Sequence, residues 1–412
     1  MNKQDSLYSF EDRQSPDNWI VSDSNISNIQ NIITSCKKNP FLYKFISAND
    51  AGSTGSHQSG LYLPNSSWPI FFDSPGIKGK NKDQPVTIQW ESDDIETKSR
   101  CTWYGKGTRR EYRLTRFGYG FPYLKDEHIG SLVILIKTGK DEFCGWVLDS
   151  DYDIETFLAE FDISHLDTGG IKNIDITDPI ALIPKTDKKR LFADFIDGLG
   201  TSFPETAKLS DISRKISEIT GITSDPDERL VKWLDTEYEL FRLIESKIYQ
   251  PYISQGEHTL DEIIEFAGSV LNRRKSRAGK SLEHHLAAIF DESEIPYSHG
   301  GMTEGKSRPD FIFPGMTEYR NPEFSDEGLV FLGSKTTCKD RWRQILNEAD
   351  RIDRKHLFTL QQGISSNQLG EMKRADVQLV IPHRNLKSFP EPWRNKLLTL
   401  GSFVEYVRKT TA

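Results

Sequence analysis

The chain has 412 residues, 36% of them hydrophobic, and a formal net charge of -8 at pH 7. At roughly 100 to 200 residues per domain, this length predicts two or three domains. The longest apolar run, Leu132–Ile136, is far shorter than the ~20 residues that a membrane-spanning helix needs. The charged N-terminus lacks the apolar core of a secretory signal, and the cysteines are scattered without C-x-x-C spacing, so zinc and disulfide sites are not expected. These features predict a cytoplasmic protein with no membrane partner.

The negative net charge does not exclude a nucleic-acid partner, because positive charge is concentrated locally. Cations cluster in Lys106–Arg116, Arg273–Lys280 and Lys339–Arg343, whereas the acids are spread elsewhere. A local basic patch can bind phosphates even when the whole chain is acidic. DNA is therefore a candidate partner.

Residues 1–38 are polar and show little periodicity, so we predict a mobile polar arm with room for one short helix. Residues 39–185 contain short β-rich runs bounded by Gly, Pro, Asn or Asp, such as P-V-T-I-Q-W and S-L-V-I-L-I-K. Runs of this kind are typical of strands joined by turns. This half is therefore predicted to be all-β, either a small barrel or a sandwich.

Two segments of the β-rich half carry side chains suited to DNA. His57 and Tyr62 lie in and beside a Gly/Ser-rich loop, and Arg109, Glu111 and Arg113 alternate along a run rich in aromatics and cations. On a strand, alternating residues share one face. That geometry suits base reading, although charged residues on an edge strand give the same pattern.

The pattern changes from strand-rich to helix-rich after residue 185, so residues 186–204 are predicted to be a linker and residues 205–412 a second unit. Asp225 and Pro226 have the types expected of a helix N-cap and first helical residue. Further helices are predicted at about Ser281–Phe290 and Arg341–Ile352. The runs F-I-F, G-L-V-F-L, K-H-L-F-T-L and D-V-Q-L-V-I-P between and after them predict strands. This order indicates an α/β unit with a mixed sheet covered by helices.

The α/β unit contains residues able to cut a phosphodiester bond. Asp310 begins one predicted strand and Lys335 ends the next, and adjacent strands lie about 5 Å apart. Gly333 stands where a P-D...(D/E)-x-K pattern would have its second acid, so Glu348 on the following predicted helix is the natural substitute, with Glu283 as a further acid. Such carboxylates can hold Mg²⁺ beside a water while the lysine offsets negative charge. Individually, each residue could equally be a turn cap or a solvated charge.

A possible base-reading triplet, Lys339, Asp340 and Arg341, begins four residues after the lysine. Lys and Arg donate to guanine O6 and N7, whereas Asp accepts from cytosine N4. A surface salt-bridge run would look similar. The cations Arg273, Arg274, Lys275, Arg277 and Lys280 are suited to phosphate contacts, but they could also form a solvated helix flank.

Several motifs together carry a resemblance to a known family. They are T-G-S-H-Q-S-G-L-Y-L-P, R-L-T-R-F-G, N-R-R-K-S-R-A-G-K-S-L-E, P-D-F-I-F-P and K-T-T-C-K-D-R-W-R-Q-I-L-N-E-A-D. From about Pro40 to near the C-terminus, the chain resembles the EcoRII family of type II restriction endonucleases. Only about the first forty residues lie outside the likeness.

The resemblance implies a B3-like β-barrel domain at residues 39–185 that binds effector DNA, and a PD-(D/E)xK nuclease domain at residues 205–412 that forms a homodimer. It implies Mg²⁺-dependent, type IIE double-strand cleavage before the first C of CCWGG, where W is A or T. It also implies that the first domain restrains cleavage until a second site is bound, and that a cognate DNA methyltransferase protects host DNA. Rival hypotheses are a non-catalytic DNA-binding regulator and a structure-specific repair nuclease on the same fold.

The resemblance also implies roles for individual residues. Asp310 and Lys335 match the catalytic acid and lysine, Glu348 the displaced acid, and Asp310 and Glu348 the metal ligands. Glu283 matches the additional acid and Tyr319 a tyrosine near the active centre. Lys339, Asp340 and Arg341 match the triplet that reads the CC:GG part. The matching recognition segments of the first domain contain His57, Tyr62, Lys106, Arg109, Glu111 and Arg113.

Overall fold

The computed structural model describes residues 23–53, 60–173, 187–221 and 223–411. Residues 1–22 of the predicted polar arm, His57 and residues 174–186 lie outside these ranges. Within them, no helix combines the length and the apolar character needed to cross a membrane.

The first half of the chain forms one eight-stranded sheet, with strand order β2-β5-β4-β3-β7-β6-β1-β8. Its pairs are antiparallel except for the parallel pair of β3 and β7. The strands are β1 Phe41–Phe45, β2 Leu61–Leu63, β3 Lys82–Trp90, β4 Ile95–Tyr104, β5 Glu111–Thr115, β6 Leu132–Lys137, β7 Glu142–Leu148 and β8 Gly169–Lys172. The helices are α1 Asp23–Lys38, α2 Trp68–Phe71 and α3 Asp151–Glu160. The prediction of a β-rich first half is confirmed.

Both faces of this sheet are covered, because alternate residues of its central strands are buried on opposite sides. Leu42 and Leu135 face a core that includes Trp90. Phe41 and Ile134 face the opposite side, where α1 and α3 pack. Helix α3 is therefore fixed to the sheet by its apolar face.

The second half contains a six-stranded sheet of order β14-β13-β12-β11-β10-β9. Strands β11 to β14 are parallel, whereas β9, β10 and β11 are antiparallel. The strands are β9 Ser298–His299, β10 Phe311–Phe313, β11 Val330–Lys335, β12 Lys355–Thr359, β13 Val377–Ile381 and β14 Leu398–Thr399. The helices are α4 Asp187–Asp197, α5 Thr206–Ile219, α6 Pro226–Gln255, α7 Leu260–Glu292, α8 Met316–Arg320, α9 Ser366–Arg374, α10 Glu391–Arg394 and α11 Leu400–Thr410. The predicted mixed α/β sheet is confirmed.

Helix boundaries follow local capping chemistry. Asp225 caps α6, because its side chain accepts a hydrogen bond from Glu228 N, and Pro226 is the first helical residue as predicted. A capping box of Thr259 and Glu262 begins α7. The predicted helix at about Ser281–Phe290 is therefore only the last part of a helix of 33 residues.

One other prediction of secondary structure needs correction. The segment Arg341–Asn347 is a 3-10 helix rather than the start of an α-helix to Ile352, because Glu348 after it is extended and Ala349 adopts a left-handed backbone (φ 54°). The predicted linker at residues 186–204 contains helix α4, whose Phe192 is buried against α5 and α6.

Candidate active site and DNA interface

The antiparallel pair β10 and β11 brings Asp310 and Lys335 to the same end of the sheet. Phe311 lies opposite Leu332, so Asp310, one residue earlier, adjoins the part of β11 that ends in Lys335. Asp310 Oδ2 accepts hydrogen bonds from Ser334 N at 2.7 Å and from Ser334 Oγ at 3.1 Å. The carboxylate is thus held beside the lysine strand, as the sequence predicts.

Glu283 of helix α7 joins this pair. Burial and the charge of Glu283 raise the pKa of Asp310, although the charges of Lys335 and His299 and the Ser334 N–H act in the opposite direction. Two carboxylates and one ammonium group therefore share a poorly solvated site. The structure brings together three of the predicted catalytic residues.

The space around Gly333 is too small for an acidic side chain two residues before Lys335. A Cβ at this position would lie 2.9 Å from Ile345 Cγ2, so the 3-10 helix Arg341–Asn347 fills the space that an acidic side chain would need. Glu348 follows this 3-10 helix in an extended conformation and is partly buried. It therefore lies on a connecting segment and not on a helix.

Tyr319 supports the segment that follows Glu348. Its hydroxyl donates to Glu304 Oε2 at 2.5 Å, and the same oxygen accepts from Asp350 N at 3.3 Å. The guanidinium of Arg351 lies over the Tyr319 ring. Burial and the bond to Glu304 raise the pKa of Tyr319, so this residue remains a neutral phenol.

The predicted base-reading triplet contacts the N-terminal half. Asp151 at the start of α3 is fully buried. Its carboxylate accepts hydrogen bonds from the backbone N–H groups of Lys339 at 3.0 Å, Asp340 at 2.9 Å and Arg341 at 3.1 Å. All three residues of the triplet are therefore held by one carboxylate of the other half of the chain.

The cationic side chains of the triplet are also paired with acids of that half. Lys339 Nζ donates to Asp149 Oδ1 at 3.0 Å and to Ser131 Oγ at 2.6 Å, and Arg341 forms an ion pair with Glu155. Burial alone would raise the pKa of Glu155, but the charge of Arg341 lowers it, so the net direction is downward. These carboxylates occupy the donors that are predicted to read DNA.

The basic segment lies in the middle of α7, and its cations divide into three groups. Arg274 pairs with Glu245 and donates to Ala159 O at the end of α3, and Lys275 Nζ donates to Thr156 Oγ1 of α3. Arg277 pairs with the buried Glu237 at 3.6 Å. The remaining two cations line a surface groove on α7 beside Phe203; they are Arg273 and Lys280.

The predicted effector-binding residues form a smaller cluster on β2 and β5. Tyr62 lies opposite Arg113 in the register, and the Arg113 guanidinium is 5.9 Å from the Tyr62 ring centroid. Arg113 Nε donates to Glu111 Oε1 at 3.0 Å. Lys106 and Arg109 are exposed and precede β5, so only Glu111 and Arg113 of the alternating three lie on that strand.

Sequence reasoning did not identify His299, whose Nε2 lies 3.0 Å from Glu283 Oε2. It also did not identify the acids that cover the triplet, namely Asp149, Asp151 and Glu155. A lone histidine before two glycines gives no local pattern that indicates a functional site. The acids lie about 190 residues away from their partners in sequence, so no local pattern links them.

Two family models match the chain in consecutive regions. The model "Restriction endonuclease EcoRII, N-terminal" matches residues 35–167, and the model "EcoRII C terminal" matches residues 241–404. Type II restriction enzyme EcoRII of Escherichia coli is 38% identical over 387 residues, which cover 89% of this chain and 94% of that enzyme.

Two solved structures are more distantly similar. Metal-depleted Ecl18kI in complex with uncleaved DNA aligns with a TM-score of 0.44 at 19% identity, covering 56% of this chain and 85% of the Ecl18kI chain. The PspGI–substrate DNA complex aligns with a TM-score of 0.42 at 13% identity, covering 52% of this chain and 96% of the PspGI chain.

A relative at 38% identity spans nearly the full length of both chains, and the two family models match the two halves in the same order. The chain therefore belongs to the EcoRII family of type II restriction enzymes.

Proposed function

We propose that this protein is a type IIE restriction endonuclease that cuts both strands of DNA before the first C of CCWGG and uses Mg²⁺. The observation that carries the proposal is the meeting of Asp310, Lys335 and Glu283 at the strand ends, directly before the base-reading triplet. Family membership supports the activity, and the proximity of cutting and reading residues supports sequence-specific cleavage.

The donor set fits Mg²⁺. This ion is commonly bound by one or two carboxylates together with waters and substrate phosphate. Among the described residues, no group of three His, Cys, Asp or Glu side chains is already arranged around a metal position. However, burial and, after it, the charge of Glu283 raise the pKa of Asp310, and a bound cation would favour the ionised form of both acids. Asp310 and Glu348 are the proposed ligands, and Glu283 is a further acid beside them.

Each catalytic group has a distinct proposed task. When bound, Mg²⁺ supplies charge neutralisation at the scissile phosphate and polarises water. The Lys335 ammonium orients the attacking water and offsets negative charge that develops on the phosphate. Ser334 holds Asp310 through two hydrogen bonds, so the acid keeps its orientation.

The test of this function is digestion of two plasmids that are identical except that one carries several copies of CCWGG and the other carries none. We expect discrete fragments only from the first plasmid and only with Mg²⁺. Equal degradation of both plasmids, digestion of neither, or faster cleavage of branched DNA would contradict the proposal.

We further propose that Arg341 reads guanine. Arg341→Ala should reduce the preference for CCWGG over sites altered in the CC:GG part, because a good bidentate contact contributes about 1 to 3 kcal/mol of discrimination. The matched control is Arg343→Ala, which removes an exposed cation paired with Glu371. The measurement is the ratio of cleavage rates on cognate and altered sites, because Arg341→Ala also removes a contact to Glu155 that restrains the enzyme. An unchanged ratio would disprove the reading role.

We also propose that the N-terminal half restrains cleavage. Asp149, Asp151 and Glu155 present carboxylates to the donors of the triplet, in the way that bases or phosphates would. Target DNA and these acids therefore compete for the same groups. Docking of the two halves keeps the triplet covered, and cleavage requires them to separate.

Effector binding is proposed to bring about this separation. The exposed Tyr62, the Arg113–Glu111 pair and the cations Lys106 and Arg109 are the proposed contacts for a second DNA site, together with His57. A homodimer through the C-terminal half would place one nuclease centre on each strand. Host DNA would be protected by the methyltransferase that modifies the same site.

A further inference from the structure

A histidine outside the predicted catalytic set lies at its edge. His299 ends the short strand β9 and lies opposite Phe311, the residue after Asp310. Its Nε2 is 3.0 Å from Glu283 Oε2, and the two side chains are only 15% and 17% exposed. The contact between His299 and Glu283 is therefore short and largely sheltered from water.

The backbone next to His299 is hydrogen-bonded to the backbone of Asp310. Gly300 N donates to Asp310 O at 3.2 Å, and the His299 ring packs 4.9 Å from the Phe311 ring, measured between centroids. The orientation of the imidazole is thus set by the strand that directly follows Asp310. This packing leaves Nε2 directed towards Glu283.

Glu283 needs such a contact because of its charge environment. It approaches Asp310 closely enough for its charge to act on that carboxyl, and like charges repel each other in a poorly solvated site. A glutamate side chain also has several rotamers, and those pointing to solvent would relieve the repulsion. A hydrogen bond from His299 on β9 stabilises the rotamer of Glu283 that points towards Asp310.

We propose that His299 is a positioning residue that donates from Nε2 to Glu283 and keeps this carboxylate beside Asp310, as a third acid next to the proposed cation ligands Asp310 and Glu348. The proposal rests on the proposed nuclease function. It assigns His299 to the surroundings of the cation and not to the reacting atoms. Donors behind metal-binding groups commonly change metal affinity by about 10- to 100-fold when removed.

The test compares two substitutions. His299→Phe keeps a ring against Phe311 but removes the donor, whereas His299→Gln keeps a donor. We expect His299→Phe to raise the Mg²⁺ concentration for half-maximal cleavage by about 10- to 100-fold, with much of the rate recovered at saturating Mg²⁺. His299→Gln should remain close to the wild type. His258→Phe, at the far end of the α6–α7 pair, is the control for replacing a histidine of this half.

A second readout does not depend on cleavage. Binding of Mn²⁺ alone, followed by the EPR signal of the free ion, should weaken in His299→Phe in parallel with the Mg²⁺ requirement. Thermal unfolding of each variant shows whether the substitution lowers the stability of the fold. A loss of stability that accounted for the whole change in Mg²⁺ requirement would overturn the proposal. Equal Mn²⁺ affinity of His299→Phe and wild type, or a His299→Gln variant as defective as His299→Phe, would also overturn it. A wild type that binds Mn²⁺ but cuts no DNA would instead refute the proposed function.

Discussion

Replacement of Lys335 by alanine should nearly abolish double-strand cleavage while DNA binding persists. Lys335 ends β11 beside the carboxylate of Asp310, and its ammonium is the group expected to offset charge on the phosphate. Removal of one preorganised stabiliser of this kind typically lowers kcat by about 10²- to 10³-fold. The measurement is the single-turnover rate on a plasmid with CCWGG sites at saturating Mg²⁺.

The control for this prediction is Lys387→Ala, which removes an exposed lysine of the same half. Gel-shift affinity for site-bearing DNA and thermal unfolding should be similar in both variants and the wild type. If Lys335→Ala cleaved at the wild-type rate, the lysine would have no catalytic role. If it lost binding and cleavage together, its role would be in binding and not in the chemical step.

Gly130→Ala should produce an enzyme that depends less on effector DNA. Gly130 precedes β6 in the N-terminal half and meets the C-terminal half directly, because a Cβ on it would lie 2.0 Å from Gly363 O and 2.9 Å from Gln361 Nε2. Gln361 Nε2 also donates to Gly130 O at 3.1 Å. Overpacking of this sort costs about 1 to 3 kcal/mol. If the docked state bears that cost, the fraction of undocked enzyme rises by about 5- to 150-fold.

The matched control for this change is Gly118→Ala in the same half. Gly118 has φ 90°, close to the 87° of Gly130, but an added Cβ would meet nothing within 4 Å. Both alanines bear the same backbone strain, so only the contact between the halves differs. We measure the cleavage rate of a single-site plasmid with and without a CCWGG oligonucleotide. Equal stimulation by the oligonucleotide in Gly130→Ala, Gly118→Ala and wild type would contradict autoinhibition by docking.

The sequence predicts well that the proposed catalytic residues lie at adjacent strand ends, because this placement depends on local patterns. Asp310 and Lys335 follow from two short apolar runs and the spacing of adjacent strands, and the Asp225 cap follows from side-chain chemistry. The start of α7 was also present in the sequence as T-L-D-E, a capping-box pattern that begins at Thr259. The predicted start at residue 281 missed this signal.

The rest depends on contacts between residues distant in the chain. Trp342, Ile345 and Ala349 have helical spacing, yet the close approach of Ile345 to Gly333 and the left-handed Ala349 limit the segment to a 3-10 helix. Neither contact can be derived from periodicity. Similarly, no local pattern indicates that Asp151 binds the backbone of the triplet, because that pairing exists only after the two halves have folded and docked.

Sequencing the ends of digested DNA shows most directly whether cutting and reading are joined at one edge of the six-stranded sheet. A plasmid of known sequence is cut by the wild type with Mg²⁺ and effector oligonucleotide, and every 5′ end is mapped. The proposed function predicts that each 5′ end begins with a complete CCWGG sequence on both strands. Ends scattered over unrelated sequences, or ends located at branch points, would contradict it.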